Sequence, residues 1–202
     1  MPLPHILLPA GRVWAGSDHH FLHARIIELS NRPFATAEEM SEEIVRRHNA
    51  VVGVNDVFIQ TGDLCLGPFD QSIEYAARLN GIKFMVPGNH DRTSEAGRNK
   101  PAYIEKFRRR YEDAGFTLLP ELGCTIDIDG VRFAVSHYPY DGDHTEQDRH
   151  TFFRPADEGH PLIHGHIHGQ RRISGRMFNV GVDVNDFTPV SQEELLAFAR
   201  AL

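Results

Sequence analysis

The sequence predicts an α/β fold in which two β-sheets pack face to face and helices cover the outside. In the first half of the chain, short apolar runs typical of strands alternate with longer segments of helical periodicity. The second half is richer in short strands, and Asp129-Gly130 joins two of them with the strongest hairpin signal in the chain. Because β-α-β units alone would not include that hairpin, a two-sheet sandwich fits both halves better.

The predicted helices begin and end at residues with capping roles. Thr36 and Glu39 form a capping box, because the Thr36 hydroxyl can accept the Glu39 N–H while the Glu39 carboxylate accepts the Thr36 N–H. Asn80-Gly81 ends another helix, and Ser191 caps the last one. We expect helices at residues 18–29, 36–52, 69–79 and 101–114, and a closing helix after residue 191.

Strands are expected where an apolar run is short and stops at a polar turn. Three fall in the alternating half of the chain, at residues 13–17, 57–61 and 82–86. The strand-rich half adds residues 125–128, 131–135, 161–163, 171–174 and 177–180.

Composition indicates one globular domain over residues 1–202, long enough to bury a substantial core, with 41% apolar residues. A formal charge of −7 argues against a general nucleic-acid binder, which would carry a basic surface. No apolar run approaches the roughly 20 residues of a membrane span. The proline-rich start does not read as a signal peptide, and Cys65 and Cys124 suit a reducing compartment, so we expect a cytoplasmic protein without membrane association.

Five predicted strands end directly in residue types that bind metals or transfer protons. An open α/β sheet places its ligands beyond the carboxyl ends of its strands. A single junction of this kind could equally be an ordinary polar turn, whereas five of them indicate a site. They are Asp18-His19-His20, Gly62-Asp63, Gly88-Asn89-His90-Asp91, His137 and His164-Gly165-His166-Ile167-His168.

These five blocks, in this order, resemble the calcineurin-like metallophosphoesterase family. The family signature is Asp-x-His, Gly-Asp, Gly-Asn-His-(Asp/Glu), a lone His and Gly-His-x-His, and the resemblance extends over about residues 12–184. It implies a four-layer α-β-β-α sandwich of two mixed sheets, with the motif loops gathered at one edge. It also implies a hydrolase of phosphate esters that uses two divalent metal ions.

The resemblance maps the family's metal ligands onto seven residues of this chain. Asp63 takes the bridging role, since one carboxylate can give an oxygen to each of two ions. Carboxylate, imidazole and amide ligands suit borderline-hard ions, so we expect Mn²⁺, with Fe²⁺, Zn²⁺, Ni²⁺ or Co²⁺ as alternatives. The first metal would be held by Asp18, His20 and His168, and the second by Asn89, His137 and His166.

The same resemblance implies a mechanism. Two ions about 3.5–4 Å apart activate a shared hydroxide for in-line attack at phosphorus. His90 resembles the family's general acid, which protonates the leaving group, and Asp91 could orient or charge the His90 imidazole.

Residues beside the motifs are candidates for contact with the substrate. His23, one helical turn beyond His20, touches either the substrate phosphate or the protein interior, and both alternatives stay open. Arg92 and Tyr138 directly follow motif residues, and we expect substrate contacts from both. Asn179 lies in a segment similar to the family's strand after Gly-His-x-His and is expected to support the ligands from behind.

The polar segment 138–159 is long for a loop and directly follows His137, so we expect a lid or a wall of the site there. Histidines outside the ligand set have simpler expected roles. His48 and His164 are expected to pack, and His19 fills the variable place of Asp-x-His. The remaining histidines are expected at the surface or in loops, namely His5, His144, His150 and His160.

The sequence therefore favours a metal-dependent phosphoesterase with a small phosphorylated substrate. We expect a phosphodiester, cyclic nucleotides included, over a phosphomonoester. Two alternatives are a protein-interaction scaffold of the same fold and a nuclease similar to the family's DNA-repair branch. The complete ligand set and His90 argue against the scaffold, and the acidic net charge argues against the nuclease.

Overall fold

The structure is a computed structural model that describes residues 2–97, 99–143, 145 and 147–202. Its strands are β1 (Val13–Gly16), β2 (Val57–Gln60), β3 (Ile82–Met85), β4 (Phe116–Leu118), β5 (Cys124–Ile128), β6 (Val131–Val135), β7 (Leu162–His164), β8 (Ile173–Ser174), β9 (Met177–Asn179) and β10 (Val190–Ser191). Its α-helices are α1 (Ala24–Leu29), α2 (Ala37–Val51), α3 (Phe69–Ala77), α4 (Pro101–Asp113) and α5 (Gln192–Arg200).

The strands form two five-stranded mixed sheets, which confirms the predicted α/β sandwich. The first sheet has the order β10-β1-β2-β3-β4 and the second has the order β5-β6-β7-β9-β8. In the first sheet β1 to β4 are parallel and β10 is antiparallel to β1. In the second sheet the hairpin of β5 and β6 is antiparallel, whereas β6, β7 and β9 run parallel to one another.

Side chains of the first sheet alternate between two apolar clusters. In β1, Val13 and Ala15 belong to the cluster that also contains residues of the second sheet, whereas Trp14 belongs to the cluster formed with α1 to α4. Successive strand residues point to opposite faces, so one strand serves both clusters. The last helix, α5, contacts β1 and β10, and its Phe198 meets Phe178 of β9 edge to face.

The predicted turns and caps agree with the structure in most details. Asp129 and Gly130 have φ angles of 45° and 79°, the left-handed pair that a tight hairpin requires. The Thr36 hydroxyl accepts the Glu39 N–H at 3.1 Å, but the Glu39 carboxylate accepts the Ala35 N–H at 2.8 Å instead of that of Thr36. The hydrogen bond from the Glu39 carboxylate back to the start of the helix is therefore made one residue earlier than in a standard capping box.

Two predicted helix boundaries were wrong by two residues or more, and two short strands were missed. The first helix begins at Ala24, because His20 and Leu22 have φ angles of 51° and 57° and cannot continue a helix. The helix expected at 69–79 ends at Ala77, and the strands β4 and β10 were not predicted. Neither of these edge strands exceeds three residues, so neither carries a periodic signal.

The carboxyl ends of the parallel strands in both sheets come together at one edge of the sandwich. Ser17, after β1, pairs with Gly181, after β9, and the Val182 N–H donates to the Ser17 carbonyl at 3.1 Å. The Gly165 N–H, after β7, donates to the His137 carbonyl, after β6, at 3.0 Å. The loops of the two sheets are thus hydrogen-bonded into one cluster. No described helix is both long enough and apolar enough to span a membrane.

Candidate metal centre

All seven predicted metal ligands lie in this loop cluster, in two overlapping groups. Ligand atoms of Asp18, His20 and His168 lie within 4.8 Å of one another, and so do those of Asp18, Asp63 and His137. The second group continues into Asn89 and His166, which are described next. Carboxylate and imidazole donors this close together fit divalent metal ions.

The imidazole of His137 is oriented as a metal ligand would be. Its Nδ1 donates to the Thr61 carbonyl at 2.7 Å, so a neutral ring has its lone pair on Nε2. That Nε2 lies 3.1 Å from Asn89 Oδ1 and 3.6 Å from Asp63 Oδ2. His166 Nδ1 also lies 3.1 Å from Asn89 Oδ1. A lone pair that faces two oxygens is stabilised by a cation between them, so these residues fit a metal ion.

His20 supplies the corresponding observation in the first group. Its ring is 1% exposed, and among the described residues neither ring nitrogen has a hydrogen-bond partner. A buried polar atom without a partner costs stability and calls for an explanation. A metal ion held with Asp18 and His168 would supply the missing partner.

The carboxylate of Asp63 lies between the two groups. Its Oδ2 is 3.6 Å from His137 Nε2 and 3.8 Å from His20 Nε2, while its Oδ1 accepts the His90 backbone N–H at 2.9 Å. This arrangement fits the bridging role expected of Asp63. Asp18 also belongs to both groups, which the sequence did not indicate.

The backbone at the site is strained. Five of the seven predicted ligands have left-handed φ angles, which are unfavourable for residues with a Cβ atom. The values are 57° for Asp18, 51° for His20, 53° for Asp63, 73° for His166 and 48° for His168. Strain of this kind persists where the surrounding fold enforces it, and it is concentrated at functional sites.

Two motif glycines allow the loops to come close together. A Cβ atom at Gly88 would collide with Asp63 Oδ1, and one at Gly165 would collide with Ser17 Oγ and Asp18 Oδ2. A larger residue at either position would displace a predicted ligand. Close backbone approach is therefore the physical reason for glycine in Gly-Asn-His-Asp and Gly-His-x-His.

The pKa values of the two buried carboxylates among the predicted ligands, Asp18 and Asp63, shift in opposite directions. Burial raises the pKa of Asp18. Burial also acts to raise the pKa of Asp63, but His137, His90 and His20 lower it more, so the net pKa lies below its usual range. Burial lowers the pKa of His20 well below its usual value, so its ring is neutral and its lone pair is available.

Two further carboxylates behind the imidazoles were missed by the sequence analysis. Asp183 Oδ2 lies 3.0 Å from His168 Nδ1, and Asp143 Oδ2 lies 3.5 Å from His166 Nε2. A carboxylate on the far nitrogen of a ligating histidine fixes its tautomer and raises its basicity. Asp183 is itself held by a bidentate ion pair with Arg32 at 2.8 and 2.9 Å. No motif marks these residues, because their partners are far away in the sequence.

The structure corrects the role expected for Asp91. Its carboxylate accepts the backbone N–H groups of Asp63, Leu64 and Gly88 at 2.7, 3.1 and 2.8 Å, and the Tyr111 hydroxyl at 3.0 Å. These donors occupy both oxygens, so Asp91 fixes the loops after β2 and β3 instead of orienting the His90 ring.

Arg92 and Tyr138 also differ from expectation. The Arg92 guanidinium lies over the rings of Phe69 and Phe107, 5.2 and 4.9 Å from their centroids, and donates to the Tyr103 hydroxyl. Tyr138 is fully buried behind the rings of His137 and His166, at 4.8 and 5.0 Å. Both side chains are therefore held by aromatic packing, which adjacency to a motif does not reveal.

Other predicted residues divide into supporting and packing roles. Asn179 Nδ2 donates to the His168 carbonyl at 2.9 Å, so Asn179 supports the Gly-His-x-His loop as expected. His48 is buried, with Nε2 2.9 Å from the Asn80 carbonyl, and His164 Nδ1 lies 2.8 Å from the Gly165 carbonyl. His150 stacks on Tyr138 at 5.4 Å, closer to the site than expected, and His144 lies outside the described residues.

His23 and His90 lie on the open side of the centre. The His20 ring is 5.6 Å from the His23 ring and 5.7 Å from the His90 ring. Together with His168, these residues line a cavity of about 860 Å³. His23 therefore lines the cavity, and contact between its ring and a substrate stays a prediction.

A family model named calcineurin-like phosphoesterase matches residues 11–170. The chain belongs to the calcineurin-like phosphoesterase family. It is therefore a hydrolase of phosphate esters from a family that generally uses divalent metals, and both groups of metal-type ligands lie within the matched residues.

Individual relatives of this calcineurin-like phosphoesterase come from phages, an archaeon and a bacterium. It is 31% identical over 178 residues to the Gene 66 protein of Mycobacterium phage L5, covering 84% of this chain and 86% of that protein. It is 29% identical over 189 residues to an uncharacterized protein of Methanocaldococcus jannaschii, covering 89% of this chain and 86% of that protein. The crystal structure of a protein of unknown function from Aquifex aeolicus matches with a TM-score of 0.70 at 25% identity, covering 93% of this chain and 99% of that one.

Proposed function

We propose that this chain hydrolyses small phosphodiesters, cyclic nucleotides included, with two divalent metal ions, of which Mn²⁺ is favoured. The observation that carries the proposal is the orientation of His137, whose Nε2 lone pair faces Asn89 Oδ1 and Asp63 Oδ2. Asp63 also lies within 3.8 Å of His20, which supports one carboxylate shared by two ions.

The residues divide the chemistry between them. When bound, the two ions would supply a nucleophile from water and neutralise charge on the phosphoryl oxygens of an in-line displacement. Asp18, His20 and His168 would hold one ion and Asn89, His137 and His166 the other, with Asp63 shared. His90 is exposed and lines the cavity, and its backbone N–H donates to Asp63 Oδ1 at 2.9 Å. This position suits a general acid that protonates the departing oxygen.

The distribution of fixed charge supports a diester over a monoester. A monoester dianion gains more from fixed cations than a diester, which carries one negative charge. Arg92 is held on Phe69 and Phe107, and Arg25 is the cationic side chain among the described residues that line the cavity. The site therefore offers few cations besides the metals, together with room for a second ester arm.

The test is the ratio of kcat/KM for bis(p-nitrophenyl) phosphate over p-nitrophenyl phosphate, measured with Mn²⁺ at one pH. We expect a ratio above one, and hydrolysis of 2′,3′- or 3′,5′-cyclic nucleotides but not of single-stranded DNA. His23→Ala should change the ratio without loss of metal, whereas Arg92→Ala should leave it unchanged. A ratio well below one would reverse the substrate preference. Absence of hydrolysis with every one of Mn²⁺, Fe²⁺, Zn²⁺, Ni²⁺ and Co²⁺ would refute the phosphoesterase proposal.

A further inference from the structure

The cavity beside the metal centre has a volume of about 860 Å³ and is lined by both polar and apolar side chains. His20, His90 and His168 line it together with Arg25 and several uncharged polar residues. Four apolar residues also line it, namely Ile26, Leu29, Leu66 and Ile167, and we call the part of the cavity that they line the apolar groove. Ile26 and Ile167 are 4% and 2% exposed, whereas Leu29 is 65% exposed.

The apolar residues come from three separate segments, so the groove is a product of the fold. Ile26 and Leu29 are three residues apart on α1 and therefore share a face of that helix. Leu66 follows the Asp63 loop, and Ile167 lies between His166 and His168. Each segment that lines the groove is thus joined directly to a segment that carries a predicted ligand. An exposed leucine is ordinary by itself, but one that extends the lining of a catalytic cavity is not.

His90 indicates which part of a substrate would occupy the groove. A general acid must lie beside the oxygen that departs, so the arm attached to that oxygen extends away from the metals on the His90 side. His90 and the four apolar residues line the same cavity. We propose that this groove is the leaving-group subsite of the centre and that it selects an uncharged, apolar ester arm. The inference rests on the proposed phosphoesterase function.

Arg25 provides the competing possibility, because it also lines the groove. Among the described residues no hydrogen bond or ion pair is made with its guanidinium, so it could attract an anionic arm. Arg25 is exposed, however, and an exposed ion pair changes an affinity by about fivefold or less. Burial of half of a butyl chain changes an affinity by about tenfold, from the transfer free energy of its methylene groups. The apolar contribution is therefore expected to decide the preference.

The experiment measures binding of three stable phosphonates to the Mn²⁺-loaded protein by calorimetry. The probes are phenylphosphonate, 4-butylphenylphosphonate and 4-carboxyphenylphosphonate, which share the metal-binding group and differ only in the arm. We expect the butyl compound to bind about tenfold more tightly than phenylphosphonate. The carboxylate compound should stay within about fivefold of phenylphosphonate. Leu29→Ser should reduce the butyl advantage to about threefold or less, since Leu29 is the exposed part of the wall.

Leu122→Ser is the matched control, because Leu122 is 44% exposed and lies outside the groove. It should leave the butyl advantage unchanged. Equal binding of the phenyl and butyl compounds, no binding of either, or an advantage that survives Leu29→Ser would overturn the proposal. Tightest binding of the carboxylate compound would overturn it in favour of Arg25 as the selecting residue. Hydrolysis of bis(p-nitrophenyl) phosphate by the same preparation is scored separately, so failure of the catalytic proposal is distinguishable from failure of the subsite.

Discussion

At the scale of single residues, His90 differs from the imidazoles around it. It is exposed, whereas His20, His137 and His166 are 1%, 0% and 1% exposed. Its backbone is fixed by Asp63, while its ring lines the substrate cavity. An exposed ring can exchange protons with water between turnovers, which a general acid requires.

We predict that His90→Ala keeps its metals but loses turnover to a degree set by the leaving group. A positioned acid contributes about 10²–10⁴-fold, and it matters most when the departing alkoxide is a poor leaving group. The loss of kcat/KM should therefore be large for a ribose or alkyl ester and smaller for a p-nitrophenyl ester. His160→Ala, at a histidine outside the site, serves as control. Equal losses for both esters would instead assign His90 to stabilising phosphoryl charge.

His48 gives a pH prediction, because it is buried and is not one of the predicted ligands. Burial lowers its pKa from 6.5 to about 4. Between these values the unfolded chain binds a proton that the folded protein does not, so the free energy of unfolding falls as pH falls from 6.5 to 4. The loss attributable to His48 is about 3 kcal/mol at pH 4.

His48→Gln should remove that loss, because glutamine retains an N–H donor for the Asn80 carbonyl and does not titrate. Urea unfolding of both metal-free proteins at pH 7, 5.5 and 4 measures it. As pH falls from 7 to 4, the free energy of unfolding of the variant should rise by about 3 kcal/mol relative to that of the wild type. Parallel pH curves for the two proteins would show that His48 does not contribute.

Residues whose roles depend on their own motif could be predicted from the sequence, and residues with distant partners could not. The resemblance to the family's motifs was sufficient to name Asn89, His137 and the other ligand types, which the structure brings close together. Arg92 was misassigned because Phe69 and Phe107 attract its guanidinium from two different helices. Asp183 was missed because its partners, Arg32 and His168, are far from it in the sequence.

At the scale of elements, α4 is linked to the site through Asp91. Tyr111 of α4 is fully buried and donates its hydroxyl proton to Asp91 Oδ1 at 3.0 Å. Asp91 in turn accepts backbone N–H groups of the loops that carry Asp63 and Asn89. Through Asp91, α4 therefore helps to fix the positions of the two loops that carry Asp63 and Asn89, although α4 carries no predicted ligand itself.

We predict that Tyr111→Phe lowers the free energy of unfolding by about 1–3 kcal/mol, because it removes a buried hydrogen bond to a carboxylate. Tyr103→Phe makes the same change on the same helix, but its hydroxyl is at the exposed surface beside Arg92. That control should change stability by less than about 0.5 kcal/mol. Urea denaturation measures both variants, and equal effects would show that the Asp91 network does not stabilise the fold.

Elements with strong local signals were predicted and edge elements were not. The β5–β6 hairpin follows from Asp129-Gly130, whose backbone takes the left-handed conformation. In contrast, β4 exists because Lys83 and Phe84 of β3 pair with Phe116 and Thr117 across the sheet. Such pairing depends on tertiary contact, so short edge strands have no local sequence signal.

At the scale of the whole molecule, the metal centre depends on the packing of the two sheets. Asp18, Asp63 and Asn89 follow strands of the first sheet, whereas His137, His166 and His168 follow strands of the second. Each predicted ion would therefore take ligands from both sheets, and metal binding should stabilise the sandwich by mass action. Asp63 has the central position, because it lies within 4 Å of an imidazole from each group.

The most direct test of this account is the metal content of protein reconstituted with Mn²⁺ and dialysed, measured by elemental analysis for wild type and Asp63→Asn. Asp127→Asn, at an exposed carboxylate of β5, is the matched control. We predict close to two equivalents of Mn²⁺ for the wild type and the control, and a decrease at both sites in Asp63→Asn, because only a shared carboxylate affects both ions. A wild-type protein that binds a single equivalent, or an Asp63→Asn variant that keeps the wild-type content, would contradict the dinuclear centre.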